Sequence, residues 1–153
     1  MKKSIVKKTA VAVVLLLIII QFFGTKKNSS TRVSENAIEK HYTVSPTVQR
    51  LLKTSCYDCH SNDTKYPWYN NIQPVEWWLA NHVSDGKKHL NFDEFNTYTT
   101  EKKLKKLDEV VETVNENEMP LSSYTLIHGN ARLSDVDKKE IEIWVNEVKK
   151  EIH

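Results

Sequence analysis

The sequence contains little glycine, proline or cysteine. Its 153 residues include three glycines, four prolines and two cysteines. So few turn-forming residues disfavour a β fold built from many short strands, and two cysteines cannot form a disulfide framework. Charged residues make up 27% of the chain, and the apolar positions recur at helical spacing. We therefore predict an all-α fold.

The chain also lacks a basic excess outside its first residues. Residues 1–25 hold four lysines and no acidic residue, and the remainder has 18 basic residues against 20 acidic ones. A domain with this balance does not carry the basic surface of a nucleic-acid-binding protein. We expect no nucleic-acid partner.

No apolar run reaches the length of about 20 residues that a full membrane span needs. Residues 10–23 are mainly apolar and follow Lys2, Lys3, Lys7 and Lys8. No A-x-A-like cleavage site follows this run, and no cysteine lies near its end. We expect segment 1–24 to be a retained membrane helix that contacts lipid through residues 5–23, with a cleaved export signal as the alternative.

The placement of charge around this segment predicts its orientation. The lysines that precede the apolar run outnumber Lys26 and Lys27 after it, which favours an amino terminus in the cytoplasm. The predicted location is the bacterial inner membrane, single-pass, with the carboxy-terminal part on the periplasmic side. Residues 25–43 are polar and aperiodic and are predicted to be a linker, and residues 44–153 the folded domain.

The motif with the clearest chemistry is Cys56-Tyr57-Asp58-Cys59-His60, which contains both cysteines of the chain. C-x-x-C-H is the attachment signature of c-type haem. The two thiols add to the haem vinyl groups, and the histidine binds the iron from the proximal side. We predict one covalent haem c, with Cys56 and Cys59 as attachment sites and His60 as an iron ligand.

Three other interpretations of the cysteine pair are open. A thiol redox motif is expected in a βαβ context, and the sequence has no convincing strand pattern. A zinc site needs four ligands, and no second cysteine pair occurs. The pair could also be inert, with the helices and aromatic residues forming a non-haem interaction surface.

The folded part shows several helix signals. Ser45 followed by Pro46 predicts a helix that runs into the motif, and Thr99 or Thr100 is expected to cap a longer helix that stops near residues 115–117. A terminal helix begins at Ser134, with Asp137 as the partner of a capping box.

A second helix is predicted after Pro74, and we expect Gly86 to end it as a left-handed residue. The loop before this helix carries Tyr66, Trp68 and Tyr69. These aromatic side chains are predicted either to cover the apolar faces of a haem or to pack in an ordinary core.

The order of these features resembles class I cytochrome c: C-x-x-C-H first, then Met119 followed by Pro120, then a terminal helix with Trp144. The central stretch, with Tyr66-Pro67-Trp68-Tyr69 and Asn91-Phe92, is similar to a small bacterial haem-binding domain family that carries C-x-x-C-H. The resemblance covers about residues 40–150. It implies a cytochrome c-like helical domain around a covalent haem, with a methionine as distal ligand.

The distal ligand is predicted to be Met119, which is flanked by polar residues and follows a helix end. Met1 lies before the apolar segment and cannot serve. His82 is the alternative distal ligand, ahead of His89 and His128. We expect His41 and His153 to be surface residues.

A six-coordinate iron leaves no position for a substrate, so we expect an electron carrier rather than an enzyme, with redox proteins as partners. His/Met ligation would raise the reduction potential. The alternative is a haem-based sensor or a small peroxidase-like haem enzyme with an open or labile distal position.

Overall fold

The computed structural model describes residues 2–152, and this part of the chain contains helices and no strand. The all-α prediction is confirmed. The α-helices are α1 (Lys2–Ile20), α2 (Ile38–His41), α3 (Pro46–Ser55), α4 (Tyr57–His60), α5 (Val75–His89), α6 (Thr100–Asn115), α7 (Ser122–Ile127) and α8 (Asp135–Glu151). Short 3₁₀ turns lie at Trp68–Asn71, Phe92–Thr97 and Gly129–Ala131.

The amino-terminal segment forms helix α1, of 19 residues, none of which is buried. Within residues 2–152 no helix has both the length and the apolar character needed to cross a membrane. The predicted membrane-spanning helix is therefore not supported. The physical reason lies in its composition, because four lysines occupy the first half of a helix shorter than the roughly 20 apolar residues of a span.

The predicted helix caps are present. The Ser45 side chain accepts a hydrogen bond from the Val48 backbone N–H at 3.3 Å. Thr99 caps α6 in the same way. Ser134 forms the predicted capping box, in which its side chain accepts from the backbone of Asp137 and the Asp137 side chain accepts from the backbone of Ser134. Local side-chain chemistry therefore sets the starts of α3, α6 and α8.

The core lies where α3, α6 and α8 meet the 3₁₀ turn at Phe92–Thr97. The indole N–H of Trp144 donates to the Thr43 carbonyl at 3.1 Å, so its one polar atom is satisfied. The buried side chains of this core include Leu51, Leu52, Phe92, Phe95, Leu107, Ile141, Trp144, Val145 and Val148.

Gly86 does not end the second helix, which corrects the sequence-based prediction. Helix α5 continues through Gly86 to His89. At Gly86 the helix crosses the cysteine motif so closely that an added Cβ would lie 2.6 Å from the Cys59 carbonyl oxygen. Tertiary packing, and not a left-handed turn, explains the glycine.

Residues 25–43, predicted to be a linker, lie along the domain. The Asn28 side chain donates to the Ser61 carbonyl at 3.0 Å and to Thr64 at 2.8 Å. Ala37 and Ile38 are completely buried. This segment is therefore packed on the domain, while the predicted boundaries at residues 24 and 43 stay predictions.

We predict that Gly86→Ala lowers the free energy of unfolding by about 1–3 kcal/mol, because the new methyl group overlaps the Cys59 backbone. The better helix propensity of alanine, worth about 1 kcal/mol, offsets only part of this. Chemical denaturation followed by circular dichroism would measure it.

Gly129→Ala is the matched control, because a Cβ at Gly129 would meet no atom within 4 Å. Its unfolding free energy should stay within about 0.5 kcal/mol of the parent. Equal stability of the two variants would contradict the close crossing at Gly86.

Candidate functional site

Two adjoining cavities form one cleft beside the cysteine motif. Their volumes are about 180 Å³ and 300 Å³. Both are lined mainly by apolar surface, and both are bordered by Ser55, Cys56, His60, His89 and Met119. Cys59 borders the first cavity. The structure therefore brings Cys56, Cys59, His60 and Met119 to a single cleft.

The motif folds as a tight turn between two helices. Cys56 ends α3 by donating its backbone N–H to the Leu52 carbonyl at 2.9 Å. The Cys56 carbonyl then accepts from the backbone N–H groups of Cys59, at 3.1 Å, and His60, at 3.0 Å. This single turn of helix presents both thiols and the imidazole over a short stretch of chain.

The imidazole of His60 is oriented by a backbone carbonyl. Its Nδ1 lies 2.9 Å from the carbonyl oxygen of Leu90, the residue that follows α5. Burial lowers the pKa of His60, although the hydrogen bond to Leu90 opposes this change. A neutral ring that donates through Nδ1 keeps the Nε2 lone pair for a metal ion, which is the usual arrangement of a metal-binding histidine.

The two thiols are in an environment that disfavours ionisation. Burial, with a further contribution from Cys59, raises the pKa of Cys56 to about 12. Burial and the nearby Asp58 carboxylate raise the pKa of Cys59 to about 11. Both residues are free cysteines. Catalytic redox cysteines have lowered pKa values, so the raised pKa values of Cys56 and Cys59 do not favour the thiol-redox interpretation.

The two residues between the cysteines anchor the turn on opposite sides. The Tyr57 hydroxyl donates to Glu39 at 2.6 Å, and its ring packs on Phe92 with centroids 5.5 Å apart. On the other side, the Tyr124 hydroxyl donates to the Asp58 carboxylate at 2.8 Å. Burial and this hydrogen bond raise the pKa of Tyr124. The motif is thus held by α2 and α7 as well as by its own helix.

Met119 reaches the cleft because of how α6 ends. Asn117 adopts a left-handed conformation with φ of 61°. The backbone N–H of Glu118 donates to the Thr113 carbonyl at 2.9 Å, and that of Asn117 donates to the Val114 carbonyl at 3.3 Å. These bonds form a Schellman motif, which reverses the chain. Met119, which also donates to Thr113, is thereby placed against the cleft.

The other histidines differ in position. His82 borders the first cavity, packs on Trp78 with ring centroids 4.1 Å apart and planes tilted by 48°, and places Nδ1 2.8 Å from the Trp78 carbonyl. His89 borders both cavities. His128 stacks on Tyr124 and borders neither cavity.

His41 and His153, at the two ends of the domain, were expected at the surface. His41 is exposed, and its Nε2 lies 2.8 Å from the Glu35 carbonyl. His153 lies outside the described residues.

The aromatic loop does not border the cleft. Trp68 is 76% exposed, Tyr66 accepts a hydrogen bond from the Asn28 backbone, and the Tyr69 hydroxyl lies 3.5 Å from His128. Because residues 25–30 pack on this loop, its tyrosines contact protein rather than the cavity. The expectation that these side chains cover a haem face is not what the structure shows.

A zinc site made by the protein alone has no support among residues 2–152. No group of three or more histidine, cysteine or acidic side chains is arranged there to hold a metal ion. The cleft instead offers the imidazoles of His60, His82 and His89, two thiols and one thioether around a largely apolar space.

Comparison with known families identifies a cofactor for the domain. A family model described as "Haem-binding domain" matches residues 15–147. The chain belongs to this haem-binding domain family. No curated protein and no solved structure matches the chain. The resemblance to a small haem-binding domain family is therefore confirmed, and haem is the cofactor.

The cleft of this haem-binding domain fits its cofactor on the structure's own terms. Its walls are largely apolar, as a macrocycle requires. The Nδ1 contact with Leu90 leaves the other nitrogen of His60 for an iron atom. Met119 borders both cavities, and its thioether is a group of a type that haem iron accepts.

Sequence patterns missed several groups that build the site, among them the Leu90 carbonyl, Gly86 and Tyr124. Their roles depend on contacts with residues 27 to 66 positions away in the chain. Asp58 lies inside the motif. A carboxylate between the two cysteines was the one sequence signal that could have indicated a hydrogen-bond donor such as Tyr124.

We predict that Asn117→Val lowers the free energy of unfolding by about 1–3 kcal/mol, because a β-branched residue is strained at φ of 61°. Hydrogen exchange at the amides of residues 118 and 119 should also become faster. Asn117→Gly is the control, since it loses the same contact with Lys138 but tolerates the left-handed conformation. If both variants were equally destabilised, the turn geometry would not be what matters.

We also predict that Tyr124→Phe costs about 1–3 kcal/mol of unfolding free energy, because the Asp58 carboxylate loses a hydrogen-bond donor. Amide exchange in α7 should rise with it. Tyr69→Phe is the matched control. The Tyr69 ring also lies beside His128, but its hydroxyl makes only a 3.5 Å contact with Nε2 of that histidine. An unchanged stability of Tyr124→Phe would show that Asp58 does not depend on this hydroxyl.

Proposed function

We propose that the protein is a c-type electron-transfer protein. In this proposal Cys56 and Cys59 form thioether bonds to the haem, His60 is the proximal iron ligand and Met119 the distal one. The observation that carries it is the single cleft bordered by all four side chains, with the His60 ring oriented through Nδ1. When bound, the haem supplies an iron centre that takes up and releases one electron.

The residues of the chain have separable tasks in this function. The Leu90 carbonyl accepts from Nδ1 of His60 and so strengthens the ring as a ligand. Met119 stays against the cleft through its backbone bond to Thr113, 3.1 Å long. The apolar walls keep water from the cofactor, which influences its reduction potential together with the ligand pair.

A haem sensor or small haem enzyme is the second candidate. Its support is that His82, His89 and Asp85 border the first cavity together with Met119. Polar side chains at the same cleft offer groups that could bind or protonate a small ligand if Met119 left the iron. Met119→Ala distinguishes the two functions.

We further propose that the domain works outside the cytoplasm, in contact with a membrane through residues 5–23, and exchanges electrons with other redox proteins. Helix α1 supports the lipid contact, because most of its valine, leucine and isoleucine side chains are exposed. Attachment of c-type haem outside the cytoplasm agrees with an exported domain.

The attachment is tested by expressing the full chain with haem-maturation machinery. The parent should keep its haem on a denaturing gel, because thioether bonds survive denaturation. Cys56→Ser with Cys59→Ser should lose all gel-retained haem, and each single variant should keep less than the parent. Ser55→Ala, beside the motif, is the control. Haem retention by the double variant would refute covalent attachment through these cysteines.

Met119→Ala should open the distal position. The expected result is a changed absorption spectrum of the reduced protein, faster binding of carbon monoxide, and a reduction potential lower by on the order of 0.1 V. His82→Ala and His89→Ala are controls that should leave the spectrum as it is. An unchanged spectrum for Met119→Ala, with a change for His82→Ala, would assign the distal position to the histidine.

A further inference from the structure

Six large apolar side chains are exposed on chain segments next to the cleft. Trp68 is 76% exposed, Leu126 77% and Ile127 62%. The aromatic patch, as we call it, consists of Trp68, Ile72, Val75, Trp78, Leu126 and Ile127. Its two parts are joined where Tyr69 meets His128, at a ring-centroid distance of 6.5 Å.

The chain segments that carry the aromatic patch hold few carboxylates, and the exposed one at Asp85, later on α5, is paired with Lys88 at 3.1 Å. Residues 119–134 contain no aspartate or glutamate, and residues 64–84 contain only Glu76. Glu76 is 5% exposed, and it accepts hydrogen bonds from Gln73 and Thr25. The chain has 20 acidic residues in all, so this face is depleted of negative charge while the remaining segments carry most of it.

Helix α1 leaves the domain at the edge of the same patch. The Gln73 backbone N–H donates to the Gln21 side chain at 3.0 Å. The Trp77 indole donates to the Phe23 carbonyl at 2.6 Å. These bonds join the end of the uncovered apolar helix to the stretch between Ile72 and Trp78, both of which belong to the patch.

We propose that the aromatic patch rests on a lipid surface, next to the lipid contact proposed for residues 5–23. A lipid surface is the occupant that covers both apolar features, since α1 is uncovered along its length and the residues just after it are hydrogen-bonded to Gln73 and Trp77, which lie between Ile72 and Trp78 of the patch. Tryptophan is enriched at the boundary between lipid and water. The lysines of α1 suit anionic headgroups. The scarcity of carboxylates on these segments limits repulsion from those headgroups.

This orientation places the mouth of the haem cleft close to the membrane. Trp78 of the patch packs on His82, which borders the cleft. Leu126 and Ile127 follow Tyr124, another cleft residue, on the same short helix. The electron donor or acceptor that fits this arrangement is a lipid-soluble or membrane-embedded one. This last step rests on the proposed electron-transfer function, whereas the lipid contact does not.

The test uses the full chain in vesicles of phosphatidylcholine and phosphatidylglycerol that contain a lipid with a photoactivatable group in its acyl chain. After illumination, labelled peptides are identified by mass spectrometry. We expect label on peptides from residues 2–23 and also on peptides that carry Trp68, Trp78 or Leu126. Haem content is measured on the same sample, so a failure of haem attachment is seen separately.

Ile72→Glu and Ile143→Glu form a matched pair, because the two side chains are 44% and 45% exposed and only Ile72 is in the patch. Ile72→Glu should reduce labelling of the patch about fivefold, with labelling of residues 2–23 as the internal standard. Ile143→Glu should leave it unchanged. Circular dichroism checks that both variants fold.

Three outcomes would overturn the proposal. Label confined to residues 2–23 would mean that lipid covers α1 and not the patch. Label on the patch that Ile72→Glu does not reduce would mean nonspecific contact. An absence of label on both regions would mean that neither is in lipid.

Discussion

The close crossing of α5 over the cysteine motif is the constraint on which the candidate haem site depends. With no side chain at Gly86, the helix lies against the Cys59 backbone and continues far enough to place Leu90 beside His60. The same helix carries His82 and His89 to the cleft. A larger residue at the crossing would displace the helix and its carbonyl together. The ligand geometry is therefore a product of packing between two helices and not of the motif alone.

Local features of the site were predictable because their causes are local. Ser45, Thr99 and Ser134 satisfy backbone N–H groups within three residues, so the starts of α3, α6 and α8 could be read from sequence. The C-x-x-C-H spacing likewise indicated haem, which the family match supports. Gly86 shows where this reasoning fails. A glycine near a helix end has two explanations, and only the position of Cys59 in space distinguishes them.

The contacts that could not be predicted join residues far apart in the chain. Ala37 and Ile38 are buried although the segment around them is polar. Their burial could not be predicted, because such a short apolar stretch carries no periodicity. The cavity-lining role of Met119 was expected from its place after a helix. The reason for it, a left-handed Asn117, was not visible, since asparagine is common in many kinds of loop.

The two anchors of the motif close chain loops of very different length, and this bears on the order in which the domain assembles. The Tyr57 to Glu39 bond spans 18 residues, whereas the Asp58 to Tyr124 bond spans 66. The entropy of loop closure makes the longer contact costlier by about 1 kcal/mol. Folding that forms the shorter loop first would fix the thiols on the α2 side while α7 is still away. The cofactor would then have an open route into the cleft before α7 closes its last side.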